Sequence, residues 1–215
     1  IERFTYRAAG INHLTWFTDM KIDGKDVYPK LHDKLKESGF DKKEPISKQL
    51  YDIYGLYPAP GDRHVGEFFP YYMKEEVLME QDYEWKNNDF KVVDGWREEA
   101  RVLFDEVRTK KEGYEEFLKG SGETATYFIR SLATGDISDE MVNVINNGYI
   151  DNVSSGIIVE LPTYIDEFGL HPQKIGKLPD AIAAQCDRLG REYLLMVEAA
   201  ATCNYELARQ AMFLD

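Results

Sequence analysis

Cysteine is scarce in this sequence, which contains 2 cysteines among its 215 residues. Cys186 and Cys203 form no Cys-x-x-Cys pair, and they lie in a segment whose pattern is helical. Neither a disulfide framework nor a zinc knuckle is therefore indicated. We expect both thiols to be small buried hydrophobic groups.

Basic residues are also few relative to acidic ones. The sequence has 26 Lys and Arg against 39 Asp and Glu, a formal net charge of −13. Nucleic-acid-binding surfaces concentrate cations on one face, so no nucleic acid is expected as a partner. No apolar run approaches the roughly 20 residues that span a bilayer, and the first residues, IERFTYR, lack the apolar core of a signal peptide. The sequence predicts a soluble, cytoplasmic protein with no membrane partner.

Several common catalytic signatures are missing. There is no Gly-x-Gly-x-x-Gly after a strand, no P-loop, no His-Glu-x-x-His and no Gly-x-Ser-x-Gly. The usual self-contained nucleotide, zinc and hydrolase sites are thereby excluded. The absence of repeats, low-complexity tracts and Gly/Ser linkers favours a single domain. What the chain does have is 43% hydrophobic and 13% aromatic residues, enough for an ordered core.

The first third of the chain predicts a strand hairpin and two helices. Residues 14–28 alternate loosely around an Asp-Gly dipeptide that suits a tight turn between strands. Residues 29–38 and 47–54 are each followed by glycine, a typical helix end. Segment 57–72, YPAPGDRHVGEFFPYY, carries three prolines and two glycines and predicts a loop or a broken helix.

The middle of the chain predicts two further helices. Asp94 can cap a long helix through residues 96–117, and Ser121 can cap another through 124–133. The charged side chains of the long helix are typical of a solvated face.

The last third adds strands and a C-terminal helical run. Segments 141–152 and 156–166 favour strands that flank a Gly-Asn turn. A helix begins at Pro179 and runs toward the C-terminus, with a break near Cys203. The order of elements predicts the α+β class, with helices and an antiparallel sheet mixed in one domain.

The stretch AAGINHLTWF, residues 8–17, raises the question of what His13 does. Its neighbours are mostly apolar or small and carry no charge. Most histidines in such surroundings are core groups whose ring nitrogens bond backbone atoms. Neutral imidazole is also a common metal ligand. The local sequence favours the core interpretation and leaves the other open.

Segment 61–72, GDRHVGEFFPYY, combines acids, bases and phenols in a way that a plain loop rarely needs. These side chains belong to Asp62, Arg63, His64, Glu67, Tyr71 and Tyr72. They can form a pocket wall. They can equally form a surface loop in which Arg63 pairs with a neighbouring acid.

A third candidate is the group of amides at Asn146, Asn147 and Asn152 around Gly148. Amide side chains offer a donor and an acceptor to a polyhydroxylated ligand. An Asx-type turn that joins two strands explains the same residues equally well.

Five motifs occur in collinear order along the chain. They are AGINH at residues 9–13, YG-x-YP…H-x-x-E-F-x-P-Y-Y at 54–72, SGE at 121–123, NNG-x-I-x-N at 146–152 and VELP…D-x-x-G-x-x-P at 159–172. Together they resemble the NAD- and manganese-dependent glycosidases of glycoside hydrolase family 4, from about residue 6 to the C-terminus.

The resemblance implies a protein of two parts. Family members join an N-terminal Rossmann-type domain, which binds NAD, to a C-terminal α+β part similar to that of lactate dehydrogenase-like proteins. We expect residues 1–215 to be the C-terminal metal- and substrate-binding domain, with the N-terminal Rossmann domain absent from this chain. The isolated chain is then expected to be inactive.

The resemblance also implies the chemistry. Ordinary glycosidases use two carboxylates, whereas this family hydrolyses glycosidic bonds by oxidation of sugar C3 with NAD, removal of the C2 proton by a base, elimination and addition of water. The expected cofactors are NAD and Mn²⁺ or another divalent metal. His13 matches the metal-binding histidine of the family, and the chain begins too late to hold the cysteine that accompanies it.

Further roles follow from the same resemblance. Tyr71 is our first choice for the base that removes the C2 proton and Tyr72 the second. A phenol has a pKa of about 10, and we expect the metal and the cationic neighbours Arg63 and His64 to favour the phenolate. The predicted substrate-binding residues are Asn12, Arg63, His64, Asn147 and Asn152.

The substrate is expected to be a small-molecule α-glycoside, and the GDRH-x-x-E-F-F-P form is closer to the family's unphosphorylated group. Arg63 could pair with the carboxylate of a galacturonide, or simply with Asp62 or Glu67. Two other functions stay open: the substrate domain of an NAD-dependent hydroxy-acid dehydrogenase, and a non-catalytic sugar-binding or assembly module. Because family members self-associate, a homo-oligomer is expected.

Overall fold

A six-stranded sheet forms the centre of the fold in the computed structural model, which describes residues 3–72, 90–110, 115 and 124–214. The strand order is β3-β2-β1-β5-β4, with β6 also paired to β5, and neighbouring strands pair antiparallel. The strands are β1 (Phe4–Ile11), β2 (Leu14–Ile22), β3 (Lys25–Asp26), β4 (Ser138–Ile145), β5 (Ile158–Asp166) and β6 (Gly169–Pro172). The predicted α+β class with an antiparallel sheet is confirmed.

The helices lie between β3 and β4 and after β6. They are α1 (Tyr28–Ser38), α2 (Phe40–Lys43), α3 (Pro45–Tyr54), α4 (Asp62–Val65), α5 (Phe90–Lys110), α6 (Ala125–Thr134), α7 (Asp180–Thr202) and α8 (Tyr205–Met212). Two short 3₁₀ turns, Gly66–Phe68 and Pro70–Tyr72, follow α4. No helix of the described ranges is both long enough and apolar enough to cross a membrane.

The elements predicted for the first third are confirmed. Ile22 pairs with Lys25 around the Asp23-Gly24 turn. Both turn residues have positive φ, 49° and 77°, which is why glycine suits this position. Helices α1 and α3 each end at a left-handed glycine, as their sequences indicated. Segment 57–72 is a loop that carries α4 and the two 3₁₀ turns, the broken helix of the prediction.

The two helix starts predicted in the middle of the chain have different outcomes. Helix α5 begins at Phe90, so Asp94 lies within the helix and is not its cap. An aspartate inside a helix costs only a fraction of a kcal/mol, about 0.7 at most, so a capping preference did not fix the start. Ser121 lies outside the described residues, and the helix that follows has Thr124 at its N-cap position.

The predicted strand 141–152 is also shorter than expected, because Asn146 ends it. The Asn146 side chain is fully buried. Its Nδ2 donates to the carbonyls of Ile150 and Val153 at 3.1 and 2.7 Å, and its Oδ1 accepts from the Ile150 N–H at 3.0 Å. These bonds organise residues 146–157 as a loop, which favours the turn interpretation of this amide.

Helix α7 packs against β1 and closes the core. Gly190 permits close packing of α7 on Ile157, just before β5, since a Cβ at residue 190 would lie 2.2 Å from Cγ2 of Ile157. Cys186 is fully buried, as predicted for both thiols. The prediction is wrong for Cys203, which is exposed because it ends α7 in the left-handed conformation, φ 52°. Asn204 then caps α8 by accepting from the backbone of Glu206, at the predicted break.

Candidate functional site

The turn between β1 and β2 consists of Asn12 and His13 alone, because Ile11 pairs with Leu14 across it. Both turn residues are exposed, and His13 has a left-handed backbone with φ 65°. Their apolar neighbours Ile11 and Leu14 are buried. The core interpretation of His13 is therefore wrong: the apolar stretch buries its strands and presents the imidazole to solvent at the hairpin tip.

Gly10 explains the glycine of the AGINH motif. A Cβ at this position would lie 2.3 Å from the carbonyl oxygen of Leu14, a backbone atom of the facing strand. Real Cβ contacts are never so short, so a side chain here would force the hairpin apart. The tight turn that displays Asn12 and His13 depends on this glycine.

The loop of residues 57–72 is fastened to the same hairpin. The Phe17 N–H donates to the Tyr57 carbonyl at 2.9 Å, and the Ala59 N–H donates to the Thr15 carbonyl at 2.8 Å. These bonds lead the chain past β2 into α4. Backbone pairing thus carries two sequence motifs that are about 50 residues apart to one end of the sheet.

His64 of α4 meets His13 as a result. The two ring centroids lie 4.3 Å apart and the ring planes are inclined by 44°. Burial lowers the pKa of His64, and the neighbouring His13 lowers it further. Both influences favour the neutral ring, the form that offers a nitrogen lone pair to a metal. At the hairpin tip, the pair of imidazoles is the donor group best suited to bind a divalent cation.

Asp62, at the start of α4, has a structural role. Its carboxylate accepts from the backbone N–H groups of Ile46 and Ser47 at 2.8 and 2.7 Å, at the N-terminus of α3. Its own N–H donates to Glu44 at 2.6 Å. The side chain is buried, 6% exposed. This acid of the GDRH segment therefore holds α3 and α4 together.

A pocket of about 500 Å³ opens beside the hairpin tip. Its lining comes from five parts of the chain: Ile11, Asn12, His13, Glu67, Phe68, Asn143, Ile158 and Tyr193. The volume is within the range of small-molecule sites. Asn143, Ile158 and Tyr193 were not predicted from the sequence. Strand alternation in β4 gave a weak signal for Asn143, but the strand register brings Asn143 and Ile158 to His13, and the packing of α7 brings Tyr193.

Tyr71 and Tyr72 lie together beyond this pocket, with ring centroids 4.6 Å apart. Tyr72 is buried and its hydroxyl donates to Gln49 at 2.7 Å, whereas Tyr71 is 46% exposed. Burial raises the pKa of both hydroxyls, further for Tyr72. Desolvation dominates at both rings, and neither Arg63 nor His64 is among the groups that shift these pKa values. The expected help from a bound metal stays a prediction.

The remaining predicted residues are placed in two other surroundings. Arg63 is exposed on α4, next to His64. Asn147 is exposed in the 146–157 loop. Asn152 donates to the Leu178 carbonyl at 2.8 Å and accepts from the Leu178 N–H at 3.0 Å, so its amide holds this loop to the start of α7. Neither asparagine lines the pocket at His13, and their contact with a sugar stays a prediction.

A complete metal centre is not found in the part of the chain that the structure describes. No group of three or more His, Cys, Asp or Glu is arranged there to hold a metal ion. The described residues offer the two imidazoles of His13 and His64 as nitrogen donors.

Comparison with known sequences gives a consistent result. The model of a family described as "Family 4 glycosyl hydrolase C-terminal domain" matches residues 8–215. An alpha-galactosidase of Bacillus subtilis strain 168 is 30% identical over 97% of this chain and 48% of its own length. An alpha-galacturonidase of Thermoanaerobacterium saccharolyticum is 30% identical over 100% of this chain and 49% of its own length. The chain thus spans about half the length of these curated relatives.

Solved structures show the same fold. The lplD protein of Bacillus subtilis superposes with a TM-score of 0.81 at 25% identity, over 99% of this chain and 51% of that one. A 6-phospho-alpha-glucosidase from gut microorganisms, in complex with NAD and glucose-6-phosphate, gives 0.75 at 25% identity over 98% and 49%. A second one, in complex with NAD and Mn²⁺, gives 0.74 at 20% identity over 98% and 50%.

Proposed function

Because this chain belongs to the family 4 glycosyl hydrolases, as their C-terminal domain, we propose that it supplies the sugar- and metal-facing half of an NAD- and divalent-metal-dependent α-glycosidase. The exposed Asn12-His13 turn at the mouth of a sugar-sized pocket is the observation that carries the proposal. A histidine that served only the core of a binding module would be buried, whereas His13 is exposed. We propose that a Rossmann-type domain outside this chain holds NAD.

His13 is the proposed metal ligand, with His64 beside it. The donor chemistry fits, because neutral imidazole together with oxygen ligands suits Mn²⁺ and related cations. When bound, the cation would supply Lewis acidity and NAD would supply a hydride acceptor. The chain's own part is to hold the sugar in the pocket that Asn12, Asn143 and Tyr193 line.

Tyr71 is the proposed base that takes the C2 proton at its phenolic oxygen. It is the more accessible of the two tyrosines, while the Tyr72 hydroxyl is bound to Gln49. Burial raises the pKa of Tyr71. The phenol has to lose its own proton before it can act as a base, and with a raised pKa this loss requires positive charge near the hydroxyl.

Tyr71→Phe is expected to lower kcat by about 10²–10⁴-fold, the usual contribution of a general base. Tyr72→Phe is the matched control, since it removes one hydroxyl from the adjacent ring. It is expected to cost about 1 kcal/mol of unfolding free energy through the lost bond to Gln49, with kcat within about threefold of wild type. Steady-state kinetics and urea unfolding measure the two effects. A large loss of kcat in Tyr72→Phe alone would assign the base to Tyr72.

The proposed substrate is an unphosphorylated α-galactoside or α-galacturonide, since relatives with those two activities are equally similar to this chain. Arg63 stands exposed beside His64, and its planar guanidinium can bind a uronate carboxylate in bidentate fashion. This arrangement favours the galacturonide.

The test of the proposed function is reconstitution of the natural polypeptide that contains this chain. After dialysis against chelator and removal of nucleotide, release of nitrophenol from aryl α-galactoside and α-galacturonide is expected only when both NAD and Mn²⁺ are restored under reducing conditions. Either cofactor alone is expected to leave the rate at background. Hydrolysis without either would contradict the proposal. Net NADH formation from a hydroxy acid without metal would instead identify a dehydrogenase.

Self-association is part of the proposal as well. The second half of α7 exposes Leu194, Met196 and Val197, and exposed apolar patches are typical of interaction surfaces. A homo-oligomer and a cytoplasmic location both stay predictions from the sequence.

A further inference from the structure

Glu160 of β5 uses both of its carboxylate oxygens to hold the hairpin tip. Its Oε1 accepts from Nδ2 of Asn12 at 3.1 Å, and its Oε2 accepts from the hydroxyl of Thr15. Glu160 lies opposite Gly10, where β5 meets β1. The VELP glutamate is thus bound to one residue of the Asn12-His13 turn and to one residue of β2 that follows it.

These bonds fix which end of the Asn12 amide faces the pocket. A carboxylate only accepts hydrogen bonds, so Asn12 must present its NH₂ group to Glu160. Asn12 lines the pocket and Glu160 does not. The carbonyl oxygen Oδ1 is the polar atom that remains for a ligand, and it has no partner among the described residues.

We infer that Glu160 is a positioning residue that holds the Asn12 amide with Oδ1 toward the bound sugar, where it accepts a hydrogen bond from a hydroxyl group; this inference rests on the proposed function. An exposed amide in a two-residue turn can otherwise present its NH₂ group and its oxygen equally well. With Glu160 in place, the turn selects a hydroxyl that donates. The glutamate acts through Asn12 and does not touch the sugar.

A double-mutant cycle in the natural polypeptide, loaded with NAD and Mn²⁺, tests this arrangement. Asn12→Ala and Glu160→Ala are each expected to raise KM for the aryl α-galactoside or α-galacturonide about tenfold, the equivalent of one hydrogen bond. The KM of the double variant is also expected to be about tenfold above that of wild type. A KM about 100-fold above wild type would mean that the two residues act independently, and it would overturn the inference.

Two conservative variants separate positioning from a general structural effect. Glu160→Gln keeps an accepting oxygen for Asn12, and the Thr15 hydroxyl can accept from the new amide while it donates to Ile11. Its KM is expected to stay within about threefold of wild type, since one hydrogen bond is worth about tenfold. Thr15→Val removes the other partner of Glu160, and it is expected to reduce stability with KM unchanged. An equal rise in KM for Thr15→Val and Glu160→Ala would show that loosening of the hairpin alone explains the effect.

The same double-mutant cycle can be measured without activity, from the free energy of urea unfolding of the metal-free polypeptide. Non-additive losses of stability in Asn12→Ala and Glu160→Ala are expected because the residues share one bond. A wild-type protein without glycosidase activity would overturn the proposed function, while non-additivity would still support the contact between Glu160 and Asn12. Strict additivity would overturn the contact whatever the activity.

Discussion

His13→Ala is expected to lower the Mn²⁺ affinity of the natural polypeptide by about 100-fold or more and its glycosidase rate by about 10³-fold. Changes around a metal ligand already cost about 10–100-fold in affinity, and removal of the ligand itself costs at least as much. The loss of Lewis-acid stabilisation, several kcal/mol, accounts for the rate. Mn²⁺ titration followed by electron paramagnetic resonance measures the affinity independently of catalysis.

The backbone of His13 requires a control for this experiment. With φ 65°, the position is strained by about 1–2 kcal/mol for any residue with a Cβ, histidine and alanine alike, whereas glycine adopts it freely. His13→Gly is therefore expected to lose Mn²⁺ affinity to the same extent as His13→Ala, with a smaller loss of stability. If His13→Gly retained the Mn²⁺ affinity of wild type, the imidazole would not be a ligand.

The position of His13 also shows how far local sequence can be interpreted. The β2–β3 hairpin could be predicted, because the Asp23-Gly24 turn and the alternation of β2 are local signals. The β1–β2 hairpin that carries His13 was not predicted. The exposure of His13 could not be predicted either, since an apolar stretch is compatible with a core histidine as well as with a displayed one. The order of the family motifs along the chain favoured a metal ligand over a core residue, and that role stays a prediction.

The rest of the pocket depends on contacts that no local pattern carries. Glu160 and Asn143 face each other across β4 and β5, and a shift of one residue in this register would turn each side chain to the opposite face. Tyr193 reaches the pocket through the packing of α7 on β1. For Asp62 the sequence suggested a chemical role that the structure does not support. Its side chain is buried and accepts hydrogen bonds from the backbone of α3, so it stabilises that helix.

Gly10→Ala is expected to destabilise the natural polypeptide by about 3 kcal/mol or more and to abolish its high-affinity Mn²⁺ binding, because the new side chain overpacks a strand contact. The added methyl group would lie 2.3 Å from the Leu14 carbonyl oxygen and 2.9 Å from Cα of Thr15. Both atoms belong to the backbone of the paired strand, so no side-chain rotation can relieve the overlap. Separation of β1 from β2 at this point displaces the Asn12-His13 turn. The urea midpoint and the Mn²⁺ titration measure the two losses.

Gly24→Ala is the matched control, because it adds the same methyl group at the other turn of β2. Gly24 has φ 77°, and no atom of the described residues lies within 4 Å of the place that the methyl group would take. The cost is therefore backbone strain alone, about 1–2 kcal/mol. Mn²⁺ affinity is expected to be unchanged, since the β2–β3 turn does not line the pocket. Equal losses of stability and of Mn²⁺ affinity in the two variants would mean that strand contact at Gly10 has no special part in shaping the site. A selective loss in Gly10→Ala would show that the glycine of the AGINH motif is required by the close approach of two strands.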